Sequence, residues 1–158
     1  MAEPIVINTG PLITLDRIGG LDIPGKLPFD FICPAEVRAE LDEGRRTGYS
    51  DVSPDWLRVE QLRAPLSRVA ASALDTGEAA VIQLALERGI AWVCIDEWKG
   101  RRGALAAGLK VTGVLGLLGL AKRRQVIQAV KPYLEKAVAA GIRYDPELVQ
   151  RVLEAAGE

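Results

Sequence analysis

The 158-residue sequence contains no histidine. Without imidazole there is no Ser-His-Asp or Cys-His triad, no HExxH zinc site and no histidine acid–base catalyst. Cysteine is also scarce. Cys33 and Cys94 supply neither a zinc site nor a disulfide framework, and they fit a reducing cytoplasm. If this chain carries out chemistry, we therefore expect carboxylates to do it, through a bound metal ion.

Long apolar runs and a charge imbalance are missing as well. The longest apolar run, residues 111–121, is shorter than the ~20 residues that span a bilayer. The N-terminus lacks the basic segment of a secretory signal, so we expect a cytoplasmic protein without a membrane anchor. The 20 basic and 21 acidic side chains nearly balance. Any contact with nucleic acid must therefore be local.

Short apolar strands alternate with amphipathic helices along the chain. This alternation predicts an α/β fold with a central parallel β-sheet flanked by helices on both faces. We expect a single domain over residues 1–158, with a core at about 4–140 and a C-terminal helix at about 145–156. The predicted strands cover about 5–7, 30–33, 56–62, 91–95 and 110–112, and the predicted helices about 11–18, 34–43, 75–88, 97–107, 113–124, 126–139 and 146–156.

Four polar residues follow strand ends or lie on the helices beside them. Asn8 and Asp96 directly follow predicted strands, and ligands of a parallel sheet bind beyond the carboxyl ends of its strands. Glu40 lies within one helix, and Glu78 opens another. Three carboxylates and an amide that converge at this edge would bind a hard divalent cation through oxygen.

Each of these residues also has a purely structural interpretation. Asn8 and Asp96 are residue types that cap helices. Glu40 fits a row of glutamates on one solvated helix face. Glu78 stands three residues after Asp75, the spacing of a capping box. At this point both interpretations remain open.

The segments around these residues resemble the PIN-domain superfamily. The similarity is greatest to a poorly characterised prokaryotic subgroup related to VapC toxins, and it extends from about residue 4 to residue 140. PIN domains are metal-dependent nucleases that act mostly on RNA and are built on a parallel sheet flanked by helices. The matching segments are Ile-Val-Ile-Asn-Thr-Gly-Pro-Leu-Ile at 5–13, Val-x-x-Glu-Leu at 37–41, Gly-Glu-Ala-Ala at 77–80, Asp-Glu-x-x-Gly-Arg at 96–101 and Val-Thr-Gly at 111–113.

The resemblance implies a metal site formed by Asn8, Glu40, Glu78 and Asp96, which would hold Mg²⁺ or Mn²⁺. The three carboxylates would be the catalytic residues of phosphodiester hydrolysis by metal-activated water. The first position departs from the family, which usually has Asp where this chain has Asn8. Loss of one negative charge weakens the expected metal affinity and turnover, and Glu97 is a candidate to compensate.

Further residues are candidates for supporting roles. Thr112, at the end of a strand, and Glu97 would orient a water molecule or the metal, although Thr112 also fits a helix cap. Three cations on the helix that follows Asp96 would bind the phosphate backbone, although they also fit a solvated basic face. These cations are Lys99, Arg101 and Arg102.

The leading function is therefore a divalent-metal-dependent endoribonuclease, and the family-level role is the toxin of a toxin–antitoxin pair. That role implies RNA as substrate and an antitoxin protein as partner. We also expect a homodimer, because Leu12, Leu15, Ile18 and the apolar helix at 113–121 exceed the needs of a small core. The alternative is a catalytically weakened PIN fold, with Asn8 in place of Asp, that binds RNA or a protein. A phosphorelay receiver would need acidic and lysine positions that this chain lacks.

Overall fold

The computed structural model describes residues 2–158. They form a parallel sheet from the strands β1 (Glu3–Ile7), β2 (Phe29–Pro34), β3 (Leu57–Glu60), β4 (Trp92–Cys94) and β5 (Lys110–Thr112). The strand order is β3-β2-β1-β4-β5, and each neighbouring pair is parallel. The predicted α/β fold with a central parallel sheet is therefore confirmed.

Helices connect these strands and flank the sheet, together with a short 3₁₀ helix at Pro24–Lys26. Within residues 2–158, no helix is both long and apolar enough to cross a bilayer. The helices are α1 (Thr9–Arg17), α2 (Ala35–Arg46), α3 (Arg68–Ala73), α4 (Thr76–Arg88), α5 (Trp98–Ala106), α6 (Val114–Arg123), α7 (Lys131–Ala139) and α8 (Pro146–Ala155).

Strand β1 lies at the centre of the sheet, between β2 and β4. Its residues Val6 and Ile7 are fully buried, which explains why this strand is a continuous apolar run instead of an alternating one. Leu12, Leu15 and Ile18 are buried in the same core. They therefore form no exposed apolar surface, and they give no support to the expected homodimer.

One predicted helix begins later than expected, and one helix was not predicted, each for a local reason. The helix predicted at 126–139 begins at Lys131 instead, because Pro132 lies in its first turn, where proline is tolerated. The chain also leaves the helical conformation after α6, because Gln125, which directly follows the C-cap of α6, has a positive φ of 61°. The sequence analysis missed α3, which has no buried residue and therefore no apolar periodicity to detect.

Helix α4 is buried on more than one face. Ala79 and Ile82 are buried, but Leu86, at the same helical spacing, is 54% exposed. The helix packs against β1, β2, β4, α2 and α5, so Val81 and Leu84 are buried as well. Because α4 has neighbours on several sides, its buried positions do not form a single row of apolar residues.

Candidate metal centre

The carboxyl ends of β1 and β4 bring two of the predicted ligands to one edge of the sheet. Ile7 pairs with Cys94, and the backbone N–H of Asn8 donates a 3.0 Å hydrogen bond to the carbonyl of Cys94. Asn8 is the residue before α1. Asp96 stands two residues after the end of β4. Asn8 and Asp96 consequently line the same cleft, which has a volume of about 350 Å³.

The side chain of Asn8 has an unsatisfied oxygen. Asn8 is 5% exposed, and its Oδ1 is buried without a hydrogen-bond partner. It occupies the N-cap position of α1, yet its side chain makes no capping hydrogen bond. A buried acceptor without a donor costs about 1–3 kcal/mol, and a cation in the cleft would satisfy it.

Asp96 is held by the N-terminus of α6. Its Oδ1 accepts a 3.0 Å hydrogen bond from the backbone N–H of Val114. A side chain at Gly113 would collide with this same oxygen, so the glycine permits the close approach. Burial raises the pKa of Asp96, the Val114 N–H and the Arg101 guanidinium lower it, and the charge of Glu97 raises it further.

Glu78 combines a structural role with a buried carboxylate. Its backbone N–H donates a 2.8 Å hydrogen bond to Oδ1 of Asp75, and its Oε1 accepts a 3.4 Å bond from the Asp75 N–H. The predicted capping box is therefore present. Glu78 is 4% exposed, and its Oε2 lies against Gly100, where a Cβ would stand 2.7 Å away. Burial, together with the negative charges of Asp75 and Glu97, raises the pKa of Glu78.

Glu40 lines a different cleft, of about 280 Å³, which shares no lining residue with the cleft of Asn8 and Asp96. Its Oε2 accepts a 2.7 Å hydrogen bond from the hydroxyl of Thr9. Its Oε1 faces Gly77, where a Cβ would stand 2.5 Å away. Glu40 therefore contacts the residue next to Asn8 and the residue next to Glu78.

The four predicted ligands do not converge on one point. In the part of the chain that the structure describes, no three acidic or cysteine side chains are close enough to hold a metal ion. Asn8 and Asp96 share a cleft, Glu78 is buried under α5, and Glu40 is hydrogen-bonded in a different cleft. What the arrangement offers is a pair of oxygen donors in one cleft, one of them unsatisfied.

The two residues predicted to orient water or metal lie in different places. Glu97 is exposed, lines the cleft of Asn8 and Asp96, and its charge raises the pKa of both Asp96 and Glu78. Thr112 lines another cleft, and its hydroxyl lies against Gly116 in α6. Thr112 pairs with Cys94 in the sheet, and its role in orienting water or the metal stays a prediction.

The three cations predicted to bind phosphate do not line the cleft. Arg101 donates a 2.8 Å hydrogen bond to the carbonyl of Ile95. The Arg102 guanidinium lies 5.5 Å from the ring centroid of Trp98, and Lys99 is exposed.

Sequence reasoning missed Arg143 and Tyr144, which do line the cleft. They belong to the short segment between α7 and α8, far along the chain from Asn8 and Asp96. The sequence signal was a short segment between a glycine, Gly141, and a proline, Pro146, which marks a turn between two helices. In the structure Gly141 has φ of 80° and follows α7, and Pro146 begins α8. Burial raises the pKa of the Tyr144 hydroxyl, and the nearby Asp96 and Cys94 raise it further.

The two cysteines are free and buried. Burial raises the pKa of the Cys33 thiol to about 11 and that of Cys94 well above its ordinary value. Both therefore remain protonated near neutral pH, where a thiol is a poor nucleophile and a poor metal ligand.

Comparison with known proteins gives one family. Residues 4–158 match the model of a protein family described as a PIN domain. This match covers nearly the whole chain, including the segments that carry Asn8, Glu40, Glu78 and Asp96. No curated protein has a significant match to the chain.

Proposed function

The chain belongs to the PIN-domain family, and from this premise we propose that it is a divalent-metal-dependent endoribonuclease. The observation that carries the proposal is the orphaned Oδ1 of Asn8, buried in the cleft that Asp96 also lines. A buried polar atom without a partner is rare in proteins and calls for an explanation. A cation between Asn8 and Asp96 provides one.

The donor set fits a hard divalent cation. The nearby groups are an amide oxygen and carboxylates, which suit Mg²⁺ or Mn²⁺ and disfavour softer metals. Burial raises the pKa of Asp96 and of Glu78, so their charged forms are costly without a positive charge beside them. The Arg101 guanidinium offsets part of this cost at Asp96.

A role for each residue follows from its contacts. Asp96 would be the principal charged ligand, because the Val114 N–H fixes its orientation. Asn8 would be a neutral ligand. Glu40 and Glu78, whose carboxylates pack against Gly77 and Gly100, would join the set only after a rearrangement that accompanies metal binding. A bound ion would neutralise charge that develops on the phosphate and lower the pKa of the attacking water.

The remaining candidate residues would have supporting roles. Glu97 is placed to add negative charge at the mouth of the cleft, in partial compensation for Asn8. Lys99 and Arg102 are exposed on α5, next to the cleft, and would attract the RNA backbone. Thr112, whose hydroxyl lies against Gly116, would orient a water molecule or the metal from the strand next to β4.

The cellular role that we propose is that of a toxin acting in the cytoplasm, with an antitoxin as protein partner. Family membership supports the nuclease class, and the two free cysteines fit a reducing compartment. The homodimer remains a proposal based on the family alone, since Leu12, Leu15 and Ile18 are used by the core of the chain itself.

A second candidate function is a PIN fold without activity, which binds RNA or a protein. Two observations favour it: Asn8 lacks the charge of an aspartate, and the described carboxylates form no group of three around one point. Both proposals predict a folded PIN domain, so only metal binding and turnover separate them.

Titration calorimetry of Mn²⁺ into the metal-free protein, followed by cleavage of a labelled single-stranded RNA, tests the proposal. We expect binding that Asp96→Asn abolishes, because this change preserves the shape of the side chain and removes its charge. Glu135→Gln, a matched change at an exposed site, should leave binding intact. Metal binding without Mn²⁺-dependent cleavage would favour the inactive fold, and no binding at all would reject the metal site.

A further inference from the structure

A cation that the proposed chemistry has not used lies in the cleft of Asn8 and Asp96. Arg143 lines this cleft and is exposed. Among residues 2–158, its side chain forms no ion pair and no hydrogen bond with another residue. An exposed arginine that has no protein partner and lines the same cleft as Asp96 and Glu97 has its full set of donors available for a ligand.

The backbone around Arg143 is held at both ends. The N–H of Ile142 donates a 2.9 Å hydrogen bond to the carbonyl of Ala137, which closes the end of α7. Asp145 caps α8 by accepting a 3.0 Å hydrogen bond from the N–H of Glu147. Tyr144 is half-buried and lines the same cleft as Asp96. Arg143 therefore projects from an anchored segment.

Trp98 is a second unexplained side chain in the same cleft. It is 69% exposed, although tryptophan usually buries most of its surface. The guanidinium of Arg102 lies 5.5 Å from its ring centroid. An exposed aromatic ring with cations beside it is the combination on which the bases of a single nucleic-acid strand stack.

We propose that Arg143 binds a phosphate group of the RNA beside the metal centre and that Trp98 stacks on a neighbouring base. The inference rests on the proposed function, because it takes RNA as the ligand, and it concerns how the strand is held. The planar guanidinium can bind two phosphate oxygens at once. A cation in the cleft also reduces the repulsion between the phosphate and the carboxylates of Asp96 and Glu97.

The test measures the affinity of the full chain for a fluorescently labelled single-stranded RNA of ten nucleotides by anisotropy, in EDTA, so that no cleavage occurs. We expect Arg143→Ala to weaken binding about 10-fold and to reduce the salt dependence of the affinity by about 0.7 in log–log slope, the value for one phosphate contact on a single strand. Arg143→Lys should retain the slope and part of the affinity.

Trp98→Leu should weaken binding by a similar factor and leave the slope unchanged, because stacking releases no counterions. Arg124→Ala is the matched control: Arg124 is exposed and does not line the cleft, so its removal should change the affinity less than twofold. Circular dichroism of each variant checks that the fold is intact.

The inference is overturned if Arg143→Ala and Arg124→Ala bind RNA equally, or if the wild type binds no RNA at low salt. Failure of the proposed function has a different signature. If RNA binding depends on Arg143 but the protein shows no Mn²⁺-dependent cleavage, the proposed nuclease function is rejected and the inference about Arg143 is retained. If the protein cleaves RNA but its RNA binding does not depend on Arg143, the nuclease function is retained and the inference about Arg143 is rejected.

Discussion

The hydroxyl of Thr9 donates a 2.7 Å hydrogen bond to Oε2 of Glu40, a residue 31 positions away in the sequence. This bond joins the start of α1 to the middle of α2 and lies next to Asn8. It explains why a glutamate stands within α2 and not only in its first turn, where the helix dipole favours acidic residues. It also means that Glu40 has a protein partner when no metal is bound.

Thr9→Val should destabilise the protein, because Thr9 is buried and Glu40 loses a charge-assisted hydrogen bond. We expect a loss of about 1–2 kcal/mol in the free energy of unfolding, measured by urea denaturation. Thr9→Ser keeps the hydroxyl and should be closer to the wild type. Equal stability of the Val and Ser variants would show that the bond contributes nothing.

Asn8→Asp should tighten Mn²⁺ binding by about 10-fold or more, because it adds a negative charge next to Asp96. Without metal the same change should lower the free energy of unfolding, since the new carboxylate is buried near Asp96. Calorimetry measures the first effect and urea denaturation in EDTA the second. Unchanged affinity would mean that Asn8 is not a ligand.

Glycine-to-alanine changes on two helices should have opposite effects on stability. At Gly119 the nearest atom to a new Cβ is 3.7 Å away, so alanine should stabilise α6 by up to about 1 kcal/mol. At Gly100 the new Cβ would stand 2.7 Å from Oε2 of Glu78 and 2.8 Å from Cγ2 of Ile95. We expect Gly100→Ala to destabilise the protein by about 1–3 kcal/mol. Urea denaturation of both variants checks the sign, and a stabilising Gly100→Ala would contradict the described position of Glu78.

Stability should depend on the ionisation of Glu158. Its carboxylate accepts hydrogen bonds from the N–H groups of Val130 and Lys131 and from the Lys122 ammonium, and the N–H of Val130 is the main cause of its lowered pKa. A lowered pKa in the folded state stabilises the protein above the unfolded pKa of about 4.3, and this contribution disappears as the pH falls through the folded value. Glu158→Gln should therefore unfold at lower urea than the wild type at pH 7. The difference should shrink as the pH is lowered below about 4, and a difference that grows in acid would contradict the assignment.

Cys33 and Cys94 should resist alkylation in the native protein. Both are buried, and a Cys33 pKa of about 11 leaves almost no thiolate at pH 8. A thiol reagent should therefore react with neither residue in buffer and with both in urea. Rapid labelling of the folded protein would show that one of the thiols is accessible.

The fold was predictable where burial leaves a regular pattern. The apolar run of β1 identifies its strand, and the order of strands and helices predicted the parallel sheet. Helix α3 could not be found, because none of its side chains is buried. The exposure of Leu86 depends on neighbours that are distant in the sequence.

The candidate site was predictable only in part. The edge of the sheet identified Asn8 and Asp96, because both directly follow neighbouring strands. The hydrogen bond between Thr9 and Glu40 and the burial of Glu78 beneath Gly100 depend on how helices pack, which local patterns do not specify. Arg143 was missed for the same reason, since it reaches the cleft from a segment that follows the last strand.

The central position of β1 has a consequence for the kinetics of folding. Ile7 pairs with Cys94, so the middle of the sheet cannot close until chain segments far apart in sequence have met. Parallel sheets with such distant pairings fold slowly compared with helical proteins of equal size. Until then, the apolar edges of β1 and β4 are exposed to other chains, a condition that favours aggregation. We therefore expect refolding yields to fall as the protein concentration rises.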